Sequence, residues 1–340
     1  MAVSGVLALT LSAAAVAVPA PYIIEAPGPT FNTIGEANSE PLIEVTGRES
    51  FEPAGELDLT TVYVSGGPRS PISIFDAFRA WIDPSRDVLP EELVYPPGTT
   101  QDQISEQNTA AMDSSQESAV AAALRYLEIP FGESLTVAEL AEDSPSKGLL
   151  KSGDVITAID GTGVETIDVL RAGLNDARGK DVDLTIVRQG AEETVSVTPR
   201  RTESGDFQLG VLLRSAFDFP FEVKIALDNV GGPSAGSMFA VGIVDKLVPG
   251  DLTGGRHFAG TGTIDSSGDI GPIGGIGQKM AGARAQGAEF FLAPAENCGE
   301  VRGKIPDGLT VVKVATLEDA VAAVETLGSG GKASSLPTCG

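Results

Sequence analysis

The stretch Pro233 to Leu247 constrains the fold more than any other part of this chain. It reads Pro-Ser-Ala-Gly-Ser-Met-Phe-Ala-Val-Gly-Ile-Val-Asp-Lys-Leu. Met238, Phe239, Val241, Ile243 and Val244 leave no polar stripe, so the segment predicts a helix that is apolar all round and buried on every side. A core must therefore surround it. Strand-like runs flank it: Val223–Leu227 before it, then Glu289–Ala293 and Leu309–Val314 after it, with a closing helix over Leu317–Leu327. Alternating strands and helices of this kind predict an α/β or α+β unit.

Two further units precede it. Leu42–Val45 and Leu57–Val64 read as strands. Ile74, Phe75, Phe78 and Trp81 have helical spacing, stopped by Asp83-Pro84, and Trp81 reads as a core residue. Glu25 to Asn38 is rich in Pro, Gly and Asn and reads as a linker. Val94 to Asp113 reads as irregular, and Ser114 to Leu127 as an Ala-rich helix. Phe131 to Arg200 has the order strand, strand, helix, strand, strand. The expected division is 1–24 membrane segment, 25–128 N-terminal α/β region, 129–202 a compact unit of its own, 203–328 α/β unit and 329–340 tail. The fold class is α+β multidomain.

Met1 to Ile24 carries no charge, and Val6 to Val18 is almost continuously apolar until Pro19 and Pro21 break it. A full span needs about 20 apolar residues, and a signal peptide would carry a basic leader, which is absent here. The segment is expected to be a signal-anchor or transmembrane segment, with the rest of the chain outside the cytoplasm at the cell membrane. The formal charge of -24, with 47 acidic against 23 basic residues, excludes nucleic acid as a partner. Cys298 and Cys339 are too few for a disulfide framework. A bond between them would tie down the tail in an oxidising compartment. There is no Cys/His cluster, so no metal is expected. No Gly-x-x-x-x-Gly-Lys-Ser/Thr run is present, so no nucleotide and no other cofactor is expected.

Chemistry concentrates in two Gly-rich runs. Gly231-Gly232-Pro233-Ser234-Ala235-Gly236 puts Ser234 in the first turn of the apolar helix, where unpaired N–H groups near Gly232, Ser234 and Ala235 would hold an oxyanion. Read alone, the same run could simply cap a helix. Gly274-Gly275-Ile276-Gly277-Gln278-Lys279 puts a lysine at the start of a helix of small residues. Its ordinary pKa is about 10.4, and a general base needs one near 7–8. Burial would have to supply a shift of about three units, roughly 4 kcal/mol. A solvated lysine is the plainer reading. The run also fits the Gly-x-Ser-x-Gly elbow of an α/β-hydrolase esterase, but that site needs a distant histidine. The single histidine, His257, lies close by and reads as a loop residue.

Together, "GGPSAG" at 231–236, "GTGTIDSSGDIGPIGGIGQK" at 260–279 and "AEFFLAPAEN" at 288–297 resemble the proteolytic domain of Lon proteases. The resemblance implies that Ser234 is the nucleophile, Lys279 the general base and Thr261 the residue orienting the lysine. It departs from the family pattern at Gly277, where the family carries a first lysine, and at Gly231, where an acidic residue is common. The run "SPSKGLLKSGDVITAIDG" from Ser144 to Gly161 resembles bacterial PDZ domains. That implies a small β-barrel over 129–202 with a peptide groove near Phe131, Gly132, Leu135, Val137 and Val169. The whole chain, including "LTTV" at 59–62 and "YPPG" at 95–98, is similar to ATP-independent PDZ-Lon proteins of Gram-positive bacteria. The implied function is an ATP-independent serine endopeptidase acting on unfolded, secreted or membrane polypeptides. A catalytically silent PDZ scaffold remains open.

Overall fold

A computed structural model describes residues 19–37, 39–67, 71–96, 98–164, 166–203, 205–227 and 230–339. Most of the expected membrane segment, residues 1–18, lies outside the described residues. The chain forms two compact units: Met1–Ile129 with Phe221–Gly340, and Pro130–Pro220. The N-terminal region is therefore not a domain separate from the α/β unit, because the two share one sheet.

That sheet has six strands in the order Thr310–Val314, Phe290–Pro294, His257–Gly260, Glu56–Gly66, Tyr22–Asn32 and Asp87–Pro90. The first four are mutually parallel. Tyr22–Asn32 runs antiparallel to them, and Asp87–Pro90 runs antiparallel to Tyr22–Asn32. Parallel strands buried on both faces read as continuous apolar runs, and every residue of Phe290–Pro294 is buried. The helix Gly236–Leu247 is buried along its whole length, as its composition requires. It packs against the long helix Gln101–Tyr126 and against Leu317–Gly328. Truncating Phe239 or Phe291, both fully buried, to alanine would cost about 3–5 kcal/mol.

Three sequence expectations fail here. The supposed linker is the strand Tyr22–Asn32, so the expected membrane segment stops short of Ile24. Pro27, Gly28 and Pro29 disguise the strand, since its pairing shifts register between Pro27 and Thr30, where prolines are tolerated. A Cβ at Gly28 would lie 2.4 Å from Thr61 Oγ1. The long helix begins at Gln101 instead of Ser114; its first half is polar, but Thr100 and Gln103 form a capping box. Trp81 is 76% exposed and not in the core.

The second unit is a sheet in the order Ala191–Val197, Val182–Arg188, Val155–Ile159, Gly132–Leu140 and Val211–Asp218, with all neighbours antiparallel. Leu135, Val137, Ile156, Leu170, Leu174 and Ile186 fill its core. The strand Val211–Asp218 pairs with Gly132–Leu140 along its length, so this unit extends past the expected boundary at 202.

Cys298 and Cys339 are joined by a disulfide. The tail it holds runs beside Thr310–Val314: Lys313 N–H donates to the Pro337 carbonyl.

Candidate active site

The strand His257–Gly260 delivers Thr261 to its C-terminal end, where open α/β sheets place their ligands. Thr261 is fully buried. Its hydroxyl donates to the Ser234 carbonyl at 2.9 Å, and Gly262 N–H donates to the same oxygen at 2.9 Å. These two bonds fix the serine loop against the sheet. From the other side, Ser115 Oγ of the long helix donates to the Pro233 carbonyl at 3.0 Å. A Cβ at Gly236 would lie 2.6 Å from Ser115 Oγ, and one at Gly231 would lie 2.8 Å from Asn108 Cβ. The glycines in this run are thus needed for close packing.

Ser234 is not in the first turn of the helix. The helix starts at Gly236, and Ser234 occupies the turn that leads into it. Gly232 N–H is engaged by the Asn108 carbonyl at 3.1 Å, so it is unavailable to an oxyanion. No acceptor is recorded for the N–H groups of Ser234 and Ala235 among the described residues.

Lys279 lies one turn into the helix Ile276–Ala285, which Gly275 opens in the left-handed conformation at φ 69°, a backbone that favours glycine. That helix packs on Tyr22–Asn32 and Glu56–Gly66. The loop before it is clamped by Asn297, which accepts from Ile273 N–H at 3.0 Å and donates to the Ile273 carbonyl at 2.9 Å. Asn297 precedes the disulfide residue Cys298. Beside Gly277, a Cβ would lie 3.1 Å from Lys304 Cδ.

The Lys279 side chain is 2% exposed. Its Nζ lies 2.7 Å from Ser234 Oγ and 2.9 Å from Thr261 Oγ1. Burial pushes its pKa down to about 7, and the negative charge of Glu25 opposes that fall. The Glu25 carboxyl is itself pushed up, first by burial and then by Asp87, while Lys279 draws it down. Glu25 comes from the strand read as a linker, so sequence reasoning missed it; Met112 of the polar half-helix was missed for the same reason. Both line a cleft of about 500 Å³ together with Ser234, Lys279, Thr61 and Phe31.

This arrangement fixes the proton inventory. Thr261 has one hydroxyl proton and gives it to the Ser234 carbonyl, so it meets Nζ only as an acceptor. An uncharged Lys279 amine donates one hydrogen to Thr261. Its lone pair is then free to accept from the Ser234 hydroxyl.

The expected peptide groove in the second unit is displaced. Leu135 and Val137 are fully buried because they lie on the face packed into the core, and their strand has a neighbour on each side, so it offers no free edge. Gly132 is paired in the ladder opposite Asp218, and Phe131 packs edge-on against Phe217. Val169 is half-buried, and it is Ile167, Leu170 and Leu174 of its helix that face a cleft of about 650 Å³. The opposite wall is Leu209, Val211 and Leu213, at the start of the edge strand. An edge strand beside a helix is the geometry that accepts an added peptide strand.

His257 opens a strand and is not in a loop. Its Nδ1 lies 3.1 Å from Glu56 and its Nε2 lies 3.0 Å from Asp58. Among the described residues these three form the one group of His and acidic side chains close enough to hold a metal ion. Each ring nitrogen already faces a carboxylate.

Residues 112–198 match the PDZ domain family, and residues 228–326 match the Lon protease (S16) C-terminal proteolytic domain. The chain is 33% identical over 109 residues to an archaeal Lon protease of Methanothermobacter thermautotrophicus, covering 31% of this chain and 16% of that protein. It is 35% identical over 92 residues to Lon protease 2 of Bacillus subtilis, covering 26% and 16%. A solved PDZ domain of an SdrC-like protein from Listeria innocua is 24% identical, covers 24% of this chain and 93% of that one, and gives a TM-score of 0.23. The chain spans about a sixth of the length of the two Lon proteases. It therefore joins a PDZ domain to a Lon-type (S16) C-terminal proteolytic domain.

Proposed function

We propose that this chain is an ATP-independent serine endopeptidase, anchored at the membrane by its N-terminal segment with its catalytic part outside the cytoplasm. The observation that carries the reading is a buried amine 2.7 Å from a serine hydroxyl with no carboxylate bonded to it among the described residues. Uncharged Lys279 takes the proton from Ser234 Oγ as that oxygen bonds to the substrate carbonyl carbon. The carbonyl oxygen gains the negative charge and is held by the N–H groups of Ser234 and Ala235. Lys279 then passes the proton to the leaving amine, and the C–N bond breaks. Water, deprotonated by the same lysine, releases the acyl group and returns Ser234. Thr261 keeps Nζ aimed throughout.

The substrate lies extended in the cleft. Past Leu59 the strand Glu56–Gly66 has lost its neighbour His257–Gly260, and Thr61, Val62 and Tyr63 line the cleft along that open edge. A polypeptide adding there as a strand presents its backbone to Ser234. Such a mode takes unfolded segments, which suits a chain with no nucleotide-binding run to drive unfolding. The groove beside Val211–Asp218 selects or delivers them. The Cys298–Cys339 disulfide supports an oxidising location. The anchor rests on the composition of residues 1–18; no helix among the described residues is long and apolar enough to cross a membrane.

The test is cleavage of an unfolded soluble protein without ATP. Wild-type chain cleaves it and Ser234→Ala does not. Equal cleavage by the two excludes the mechanism, and capture of polypeptide without turnover by either identifies a binding scaffold instead.

A further inference from the structure

The short helix Ile74–Trp81 is built inside out. Its small residues Ala77 and Ala80 face inward, packed with Ala20, Ile24 and Ile72. Its large apolar residues face outward: Phe75 is 47% exposed, Phe78 56%, Trp81 76% and the following Ile82 65%, with Ile74 beside them. At spacings of three and four these side chains form one contiguous stripe. A soluble helix of this size normally buries such a stripe, and an aromatic face in the open marks a site of association.

What covers it follows from where the chain comes from. Pro19 pairs with Ser73, and Ala20 with Ile72. Ser73 is the N-cap of the helix, closed by a capping box with Asp76. Pro19, which directly follows the uncharged apolar segment, therefore lies one strand spacing, about 5 Å, from Ser73 at the start of the exposed stripe. If residues 1–18 enter a bilayer, the helix is held at its surface. Its charges fit an apolar attachment. Asp76, Arg79, Asp83, Arg86 and Asp87 give no positive excess, so attraction to anionic headgroups is not available. Trp and Phe with one wet side are the residues that settle at the headgroup boundary.

We propose that this helix docks on the lipid bilayer through Ile74, Phe75, Phe78, Trp81 and Ile82, lying in the interface beside the N-terminal anchor. The inference rests on the membrane reading of residues 1–18, and the experiment separates the two. The chain has one tryptophan, so its emission reports this face alone. The full chain is reconstituted with phosphatidylcholine vesicles, and Trp81 is probed with aqueous acrylamide and with lipids brominated near the headgroup end of the acyl chain. Docking predicts a blue shift, quenching by the brominated lipid and an acrylamide quenching constant at least about twofold lower than without vesicles. Raising the salt concentration leaves the shift in place. A Phe75→Ser/Phe78→Ser double variant loses the protection while still cleaving a soluble unfolded substrate at the wild-type rate. Chain that co-sediments with vesicles but keeps Trp81 fully open to acrylamide overturns the docking and leaves the anchor standing. Chain that neither sediments nor shifts overturns both. Protection that appears without vesicles and grows with protein concentration identifies the stripe as a self-association face and also overturns the docking.

Discussion

An ionisable nitrogen lies beside each end of the strand His257–Gly260, half-buried His257 at its start and buried Lys279 past its end, and the two are wired in opposite ways. At its start, His257 stands between Glu56 and Asp58, at 3.1 and 3.0 Å, and Thr30 donates to Asp58 at 2.7 Å. Past its end, Thr261 meets Lys279, whose bonded partners are two hydroxyls. Glu25 acts on that lysine only through space. An imidazole with a carboxylate on each side has both ring nitrogens occupied by structural partners. A buried amine offered only hydroxyls is cheaper to keep uncharged, and an uncharged amine is a base. The same strand thus has a carboxylate-bound imidazole at its start and a hydroxyl-bound amine past its end, distinguished by partners more than by residue type.

Substituting across this contrast sharpens it. Lys279→Met should have the largest effect, lowering turnover by about a thousandfold or more, as loss of the base does in serine hydrolases. The same change alters stability in a way that can be measured by denaturant unfolding across pH. In the folded protein Lys279 binds its proton only below about 7, while in the unfolded chain it does so below its ordinary, higher value. Wild type therefore loses stability, by up to a few kcal/mol, as pH falls from about 10 towards 7, and the Met variant should lack this slope.

At the other end of the strand the expectation reverses. His257→Gln leaves the buried Asp58 with Thr30 as its remaining side-chain partner and should cost about 1–3 kcal/mol of stability, read as a lowered Tm. Turnover per folded molecule and its pH profile should stay within about twofold of wild type. A large fall in kcat for His257→Gln with intact folding would erase the distinction between the two ends.

The smallest expected change tests Glu25. Its negative charge favours the ammonium form of Lys279. Glu25→Gln should let the lysine pKa fall further and move the acidic limb of kcat/KM to lower pH, with little loss at the plateau. An unmoved limb would show that Glu25 does not sense the amine.

What the sequence displayed depended on how local each signal is. Ser234, Thr261 and Lys279 sit in runs whose glycines record close packing, and their types and spacing were legible. Glu25 was not, because Pro27-Gly28-Pro29 looks like a linker, and only the pairing with Glu56–Gly66 makes it a strand. The peptide groove was misplaced because a strand's sequence does not say whether it is central or at an edge: Leu135 and Val137 alternate as a half-buried strand should, yet Val211–Asp218 takes the outer position. Trp81 was misread for a related reason. Helical spacing identifies a stripe but not which side of the helix meets the core, and here alanines took the inner side.

The central claim is that Lys279 is uncharged when it faces Ser234. Its titration can be followed directly by carbon NMR of the full chain carrying lysine labelled at Cε, with the resonance assigned by its loss in Lys279→Met. The account predicts one lysine titrating near 7. A Lys279 resonance that holds its charged position up to pH 9 and beyond would contradict it.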